Sequence, residues 1–183
     1  MKNITYTNWG KNTFFSKKII YPKNIKILKE INNSNLKTIG VCGNLRSFND
    51  TCINKDKIIS LKKFPKEIDL DKKKGYLTVS SNVLLIDILK KIVPEGFFLT
   101  VTPGTKYITV GGMISNNVLG KNSQKNQFKY LIKEIKLLTS QNKIITCSNK
   151  RNKKFFDLTI GGFGLTGIII NTKLKLKKIR NQY

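Results

Sequence analysis

The stretch Gly161-Gly162-Phe163-Gly164-Leu165-Thr166-Gly167, followed by Ile168-Ile169-Ile170, narrows the folds open to this chain more than any other. It spells GxGxxG, which in a nucleotide-binding βαβ unit follows a strand and opens a helix, with an acidic residue about 20 positions on. Here the glycines open a strand. Ile168, Ile169 and Ile170 are β-branched, and Lys173, Leu174, Lys175, Leu176 and Lys177 alternate with period two. The acidic partner would fall beyond the basic tail, so the motif excludes the usual dinucleotide fold and asks for another explanation.

Histidine is absent from all 183 residues. Ser-His-Asp and Cys-His catalysis, histidine-bearing zinc sites and histidyl-linked cofactors are thereby excluded; in an enzyme of this composition something other than a His base must carry the chemistry, and a cofactor is the natural candidate. Cys42, Cys52 and Cys147 lack metal-ligand spacing and read as buried or free thiols in a reducing cytoplasm, and no metal site is expected. No apolar run reaches the roughly 18 to 20 residues of a membrane-spanning helix, and Met1 to Tyr6 shows no export signal. The net charge of +25 raises nucleic acid or an acidic surface as a partner. Against a specific nucleic-acid partner, the excess is almost all Lys, spread from Lys2 to Lys178, with Arg only at 46, 151 and 180.

Along the chain, Ile25, Leu28 and Ile31 mark a helix ended by Asn32-Asn33-Ser34. Strands are expected at Thr38 to Cys42 and Lys57 to Leu61, making a first β-α-β unit of about 70 residues. Gly75 to Ser80 reads as a strand, and Val83 to Val93 as a helix with Leu84, Leu85, Ile88, Leu89 and Ile92 on one stripe. Phe97 to Val101 reads as a strand, and Gly111-Gly112 as the opening of a short helix. Leu131 to Leu137 with Lys143 to Cys147 forms a hairpin, and Lys153 to Leu158 a brief helix. Three loops, Gly43 to Ser47, Gly104 to Gly112 and Gly161 to Gly167, carry small residues whose amides could grip a phosphate-bearing ligand.

In order, Arg46-Ser47, Pro103-Gly104-Thr105, Thr109-Val110-Gly111-Gly112, Gly120-Lys121-Asn122 and the final glycine loop resemble the FAD-binding domain of the vanillyl-alcohol oxidase and p-cresol methylhydroxylase family. Within it the chain is most similar to the decaprenylphosphoryl-ribose oxidase branch, down to Trp9-Gly10 and Leu137-Leu138-Thr139. Cell-wall enolpyruvyl reductases share the fold. The resemblance implies an α+β fold of two lobes, about 1–74 and 75–183, with FAD between them and the relatives' substrate-binding domain absent from this chain, which stops at Tyr183. It implies cofactor contacts at Val41, Cys42, Gly43, Asn44, Leu45, Arg46, Ser47 and Phe48, at Pro103, Gly104 and Thr105, and at Thr109, Val110, Gly111 and Gly112. Asn116, Asn117, Val118 and Leu119 would run beside the flavin, with Gly167 and Ile169 reaching it from the last strand.

Arg46 stands where covalent members carry a flavin-linking histidine, so non-covalent FAD is expected. Leu119 and Ser123-Gln124 replace histidines near the flavin's reactive face, which leaves Lys121 as the expected catalytic side chain. By the same resemblance the reaction is hydride transfer from a carbinol, that of a polyprenyl-phosphate sugar. A separate chain would supply the substrate domain, and a short-chain reductase would complete an epimerisation. The alternative is a Lys-rich module for nucleic acid or acidic surfaces that keeps the fold without the flavin.

Overall fold

The computed structural model describes residues 6–11, 14–15, 19–33, 38–48, 50–54, 57–120 and 127–179. Strands β1 (Tyr6–Thr7) and β2 (Phe14–Phe15) pair antiparallel. They precede a small parallel sheet of β3 (Ile19–Ile20), β4 (Ile39–Val41) and β5 (Lys57–Ile59), in the order β3-β5-β4. Helix α1 (Ile25–Asn32) makes the first crossover. Asn24 caps it by accepting from the Ile27 amide at 2.9 Å, and the Ile25, Leu28, Ile31 stripe faces inward with Leu28 fully buried.

The larger sheet is antiparallel throughout. Its strands are β6 (Ile68–Asp71), β7 (Tyr76–Ser80), β9 (Ile132–Leu138), β10 (Ile144–Cys147) and β11 (Ile168–Lys175), ordered β10-β9-β11-β7-β6. Helices α2 (Leu85–Ile92), α3 (Val110–Ser115) and α4 (Lys153–Thr159) fall between these strands, and β8 (Phe97–Phe98) pairs with β12 (Lys177–Lys178). Leu77 and Val79 of β7, Ile135 and Leu137 of β9 and Leu174 of β11 share one core with Leu85, Ile88 and Ile92 of α2 and Val110, Met113 and Ile114 of α3. Burying each such side chain is worth about 1.5–3 kcal/mol.

A second cluster, Leu28, Ile59, Leu61, Leu138 and Ile168, joins the two sheets. Polar bonds reinforce it: the Asn32 side chain donates to the Thr139 carbonyl at 3.0 Å, and the Asn142 side chain donates to the Lys29 carbonyl at 3.0 Å.

The glycine loop does open a strand, β11. The α1, α2 and α4 helices, the short helix at Gly111-Gly112 and the β9–β10 hairpin also lie where the sequence places them. Three details differ. The Phe97 to Val101 strand is only two residues long, because beyond Phe98 nothing pairs with it. The strand expected to run to Leu61 ends at Ile59, where the Ser60 hydroxyl accepts from the Lys62 amide at 3.4 Å and turns the chain into a short 3₁₀ helix, Leu61–Lys63. The boundary expected near residue 74 falls inside the β6–β7 hairpin, since Ile68 pairs with Val79 and Asp71 with Tyr76.

Candidate functional site

A cleft, partly open to solvent, lies where the C-terminal ends of β4 and β5 meet α3, the Ser81 corner and the final glycine loop. Parallel strands of open sheets leave their ligand crevice at this end. Val41, Cys42, Gly43, Asn44 and Ser47 form one wall, Thr109, Gly111, Gly112 and Asn116 another, and Gly167 and Ile169 contribute from the start of β11.

The first loop is the part suited to an anion. Cys42 still donates to the Ile59 carbonyl at 2.8 Å, but the amides of Gly43, Asn44, Leu45, Arg46 and Ser47 donate to no acceptor among the described residues. Leu45 has φ +53, a left-handed turn of the kind that swings successive amides toward one side. The loop is anchored at both ends. The Asn44 side chain donates to the Tyr107 carbonyl at 2.7 Å, and the Trp9 amide donates to the Ser47 carbonyl at 2.9 Å. Gly43 packs against the α3 cap so closely that a Cβ there would collide with Thr109 Oγ1.

The other two loops behave differently from expectation. Val110 N–H donates to the Val83 carbonyl at 2.9 Å, Gly111 N–H to the Ser81 carbonyl at 2.8 Å, and Gly112 N–H to Thr109 Oγ1 at 3.2 Å. The opening amides of α3 are therefore spent inside the protein. Its glycines allow close internal packing, since a Cβ at Gly111 would sit 3.3 Å from the Ser81 carbonyl oxygen and one at Gly112 3.1 Å from Thr109 Oγ1. In the final loop Gly161 and Phe163 donate to the Ile114 and Ser115 carbonyls at 3.0 Å each, which ties the loop to the end of α3. Gly167 takes φ +141, and a side chain there would strike the Leu138 carbonyl.

Several expected contacts lie elsewhere. Pro103, Gly104 and Thr105 line a separate groove with Leu85, Leu89 and Phe98, and reach the first loop only through the Asn44–Tyr107 bond. Val110 is fully buried in the core and Val118 packs against it, so neither side chain faces the cleft. Leu119 and Phe48 are exposed, and Leu45 packs on the Ile19, Cys42, Cys52 and Ile58 cluster. The Arg46 guanidinium lies over the Trp9 ring, 5.0 Å from its centroid, and is not a lining residue. Asn117, at φ +42, turns away to hold the next segment: its Oδ1 accepts from the Lys129 amide at 3.0 Å. Lys121 lies outside the described residues.

The sequence reading passed over Ser60, Lys62, Lys66, Ser81 and Asn82, which line the cleft. Asn82 is buried and donates to the carbonyls of Leu61 at 2.9 Å and Phe64 at 2.8 Å, fastening the 3₁₀ turn to the end of β7.

All three cysteines are free and buried. Burial, and then the neighbouring Cys52, pushes the Cys42 thiol up to about 11; burial also raises Cys52 and Cys147. The neutral thiol is thus the form the fold prefers. Its contribution is fully present below the unfolded-state value of about 8.5 and disappears as pH rises through about 11. Urea midpoints should fall between pH 8 and 10.5, and Cys42→Ala should flatten that fall; an identical slope in the variant would assign the loss to other groups.

The family described as FAD binding domain matches residues 20–148, most of the chain and the greater part of the cleft. The chain belongs to the FAD-binding domain family. Decaprenylphosphoryl-beta-D-ribose oxidase of Mycolicibacterium smegmatis is 30% identical to this domain over 117 residues, 62% of the chain and 25% of the relative. Cytokinin dehydrogenase 2 of Arabidopsis thaliana is 30% identical over 111 residues, 60% of the chain and 22% of the relative. L-gulonolactone oxidase of Mus musculus is 22% identical over 178 residues, 95% of the chain and 40% of the relative. The FAD-binding domain here therefore spans between about a fifth and two fifths of the relatives it matches. The comparisons give no support to a flavin-free lysine-rich module. Among the described residues no helix is long and apolar enough to cross a membrane, and no cluster of three metal-ligating side chains occurs.

Proposed function

We propose that the chain holds FAD non-covalently in the cleft between a first lobe built on the parallel sheet and a second built on the antiparallel one, and that it serves an oxidoreductase acting on a carbinol. The observation that carries this reading is the run of amides from Gly43 to Ser47 that donate to no acceptor among the described residues, with Gly43, Asn44 and Ser47 at the cleft wall. These donors, beside a glycine whose missing Cβ makes room for α3, fit the oxygens of a diphosphate. Gly111 and Gly112 line the same cleft with Asn116, Gly167 and Ile169, and a flat ring system would lie against them.

When bound, FAD would supply the two-electron acceptor for the hydride. The residues of this chain bind and orient it. Arg46, in the position of the linking histidine, leaves no nucleophile for a covalent tether there, and Lys121 is the side chain we assign to the substrate hydroxyl. A polyprenyl-phosphate sugar is the substrate class favoured by the likeness to a decaprenylphosphoryl-ribose oxidase. The reading also takes in a second chain bearing the substrate domain, a short-chain reductase acting next, and a cytoplasmic setting.

The test is a visible spectrum of the purified chain followed by acid precipitation. A yellow protein that releases intact FAD to the supernatant is expected. A colourless protein that takes up no FAD would overturn the reading, and flavin retained in the pellet would overturn its non-covalent part.

A further inference from the structure

The loop's amides offer donors but no formal charge, and its one charged side chain, Arg46, lies over Trp9 and does not line the cleft, whereas a dinucleotide's diphosphate carries two charges. Lys62 and Lys66 line the same cleft. They are not equivalent. Lys66 is engaged with Asp87, Nζ to Oδ2 at 3.4 Å, while Lys62 has no acidic partner among the described residues. Nor does Lys62 stand over a ring, unlike its neighbour Lys63, whose ammonium sits 5.5 Å from the centroid of Tyr21.

The backbone fixes where Lys62 starts from. β4 and β5 are adjacent and parallel, so Cys42-Gly43 and Ser60-Leu61 leave the sheet side by side, as the Cys42 amide to Ile59 carbonyl bond at 2.8 Å records. The Ser60 hydroxyl then turns the chain within one residue, and Asn82 clamps that turn through the carbonyls of Leu61 and Phe64. Lys62 thus rises from a held turn at the strand end next to the amide loop, and its flexible stem carries a compact point charge.

We infer that Lys62 is the side-chain cation for the dinucleotide's diphosphate, a residue that adds to the amide loop's preference for FAD over uncharged riboflavin and contributes to the salt dependence of binding. This rests on the FAD reading above and adds to it a residue that no glycine motif marks. Two opposite charges across a solvent-exposed cleft attract modestly and are screened within about 8 Å at physiological salt. A several-fold effect on affinity is therefore expected, not an all-or-none one.

The experiment measures dissociation constants of the full chain for FAD and riboflavin by flavin fluorescence, from 20 to about 500 mM salt. Lys62→Met removes the charge and keeps the stem, Lys62→Arg keeps the charge, and Lys63→Met is the control one residue away. We expect Lys62→Met to weaken FAD about 5- to 10-fold at low salt, to flatten the salt dependence and to leave riboflavin unchanged, with Lys62→Arg near the parent. If Lys62→Met binds FAD with the parent's affinity and salt dependence, Lys62 is a solvated surface lysine and the inference fails while the FAD reading stands. An equal loss in Lys63→Met also overturns it, since the general positive field would then account for the effect. If the parent chain binds no FAD, both fall together.

Discussion

Gly43→Val should yield a folded chain that has lost FAD. The substitution adds a Cβ where Thr109 Oγ1 already stands, with Thr109 Cβ and Cγ2 both 3.4 Å from the same point. Thr109 cannot yield freely, because its hydroxyl caps α3 through the Gly112 amide. The loop must therefore lift, and the amides of Gly43 to Ser47 lose their common aim. Two misdirected charge-assisted hydrogen bonds, at about 1.5–3 kcal/mol each, weaken retention by a factor on the order of 100 or more. Flavin content per chain and a fluorescence titration measure it. Gly104→Ala is the matched control, as nothing lies within 4 Å of a Cβ there, and its flavin content should equal the parent's. Gly43→Val combined with Thr109→Gly removes the colliding atoms and should recover part of the binding. Full flavin content in the single variant would show that the loop is not where the diphosphate is held.

Phe128→Ala is expected to give the largest loss of stability, about 3–5 kcal/mol, because a fully buried ring is replaced by a void in the main core. For a chain of this length that lowers Tm by about 6 to 20 °C. The ring also anchors a neighbouring segment. The Phe128 amide donates to the Val118 carbonyl at 3.0 Å, and Leu119 bridges to Gln127, which together close the stretch that contains Lys121. Phe128→Leu, which leaves a smaller void, should cost markedly less. Equal melting temperatures for Phe128→Ala and the parent, by calorimetry, would contradict the packing described.

Much of the fold could be read from residues near one another in sequence. The Leu85, Ile88 and Ile92 stripe, the capped start of α1 and the β-branched run after Gly167 are local signals, and each led to the right element. What escaped notice was decided at a distance. Ile68-Asp69-Leu70-Asp71 drew no assignment from the sequence, yet Ile68 and Leu70 pack on the core while Asp69 is exposed, the alternation of an edge strand. Ile19-Ile20 is too short to register until β5 pairs with it.

The site divides in the same way. Glycine marks where a backbone is bare, and Gly43, Gly111, Gly112 and Gly167 all line one cleft. It does not reveal what the neighbouring amides bond to. That Ser81 would claim the Gly111 amide, or that Pro103 to Thr105 would face a different groove, depends on a corner contributed by the end of β7. Lysine is so abundant that Lys62 carries no signal in composition. Only its place at the end of β5 singles it out.

Strand β11, close to the chain's C-terminal end, sits in the middle of the large sheet, with β9 on one side and β7 on the other. A ribosome that has not yet released Ile168–Lys175 presents two half-sheets, β10–β9 and β7–β6, with nothing to bridge them. Each then exposes a long unpaired strand, the species most prone to pairing with a neighbouring nascent chain. Assembly of this sheet waits until Ile168–Lys175 has emerged, so its yield in a cell depends on how well that interval is protected.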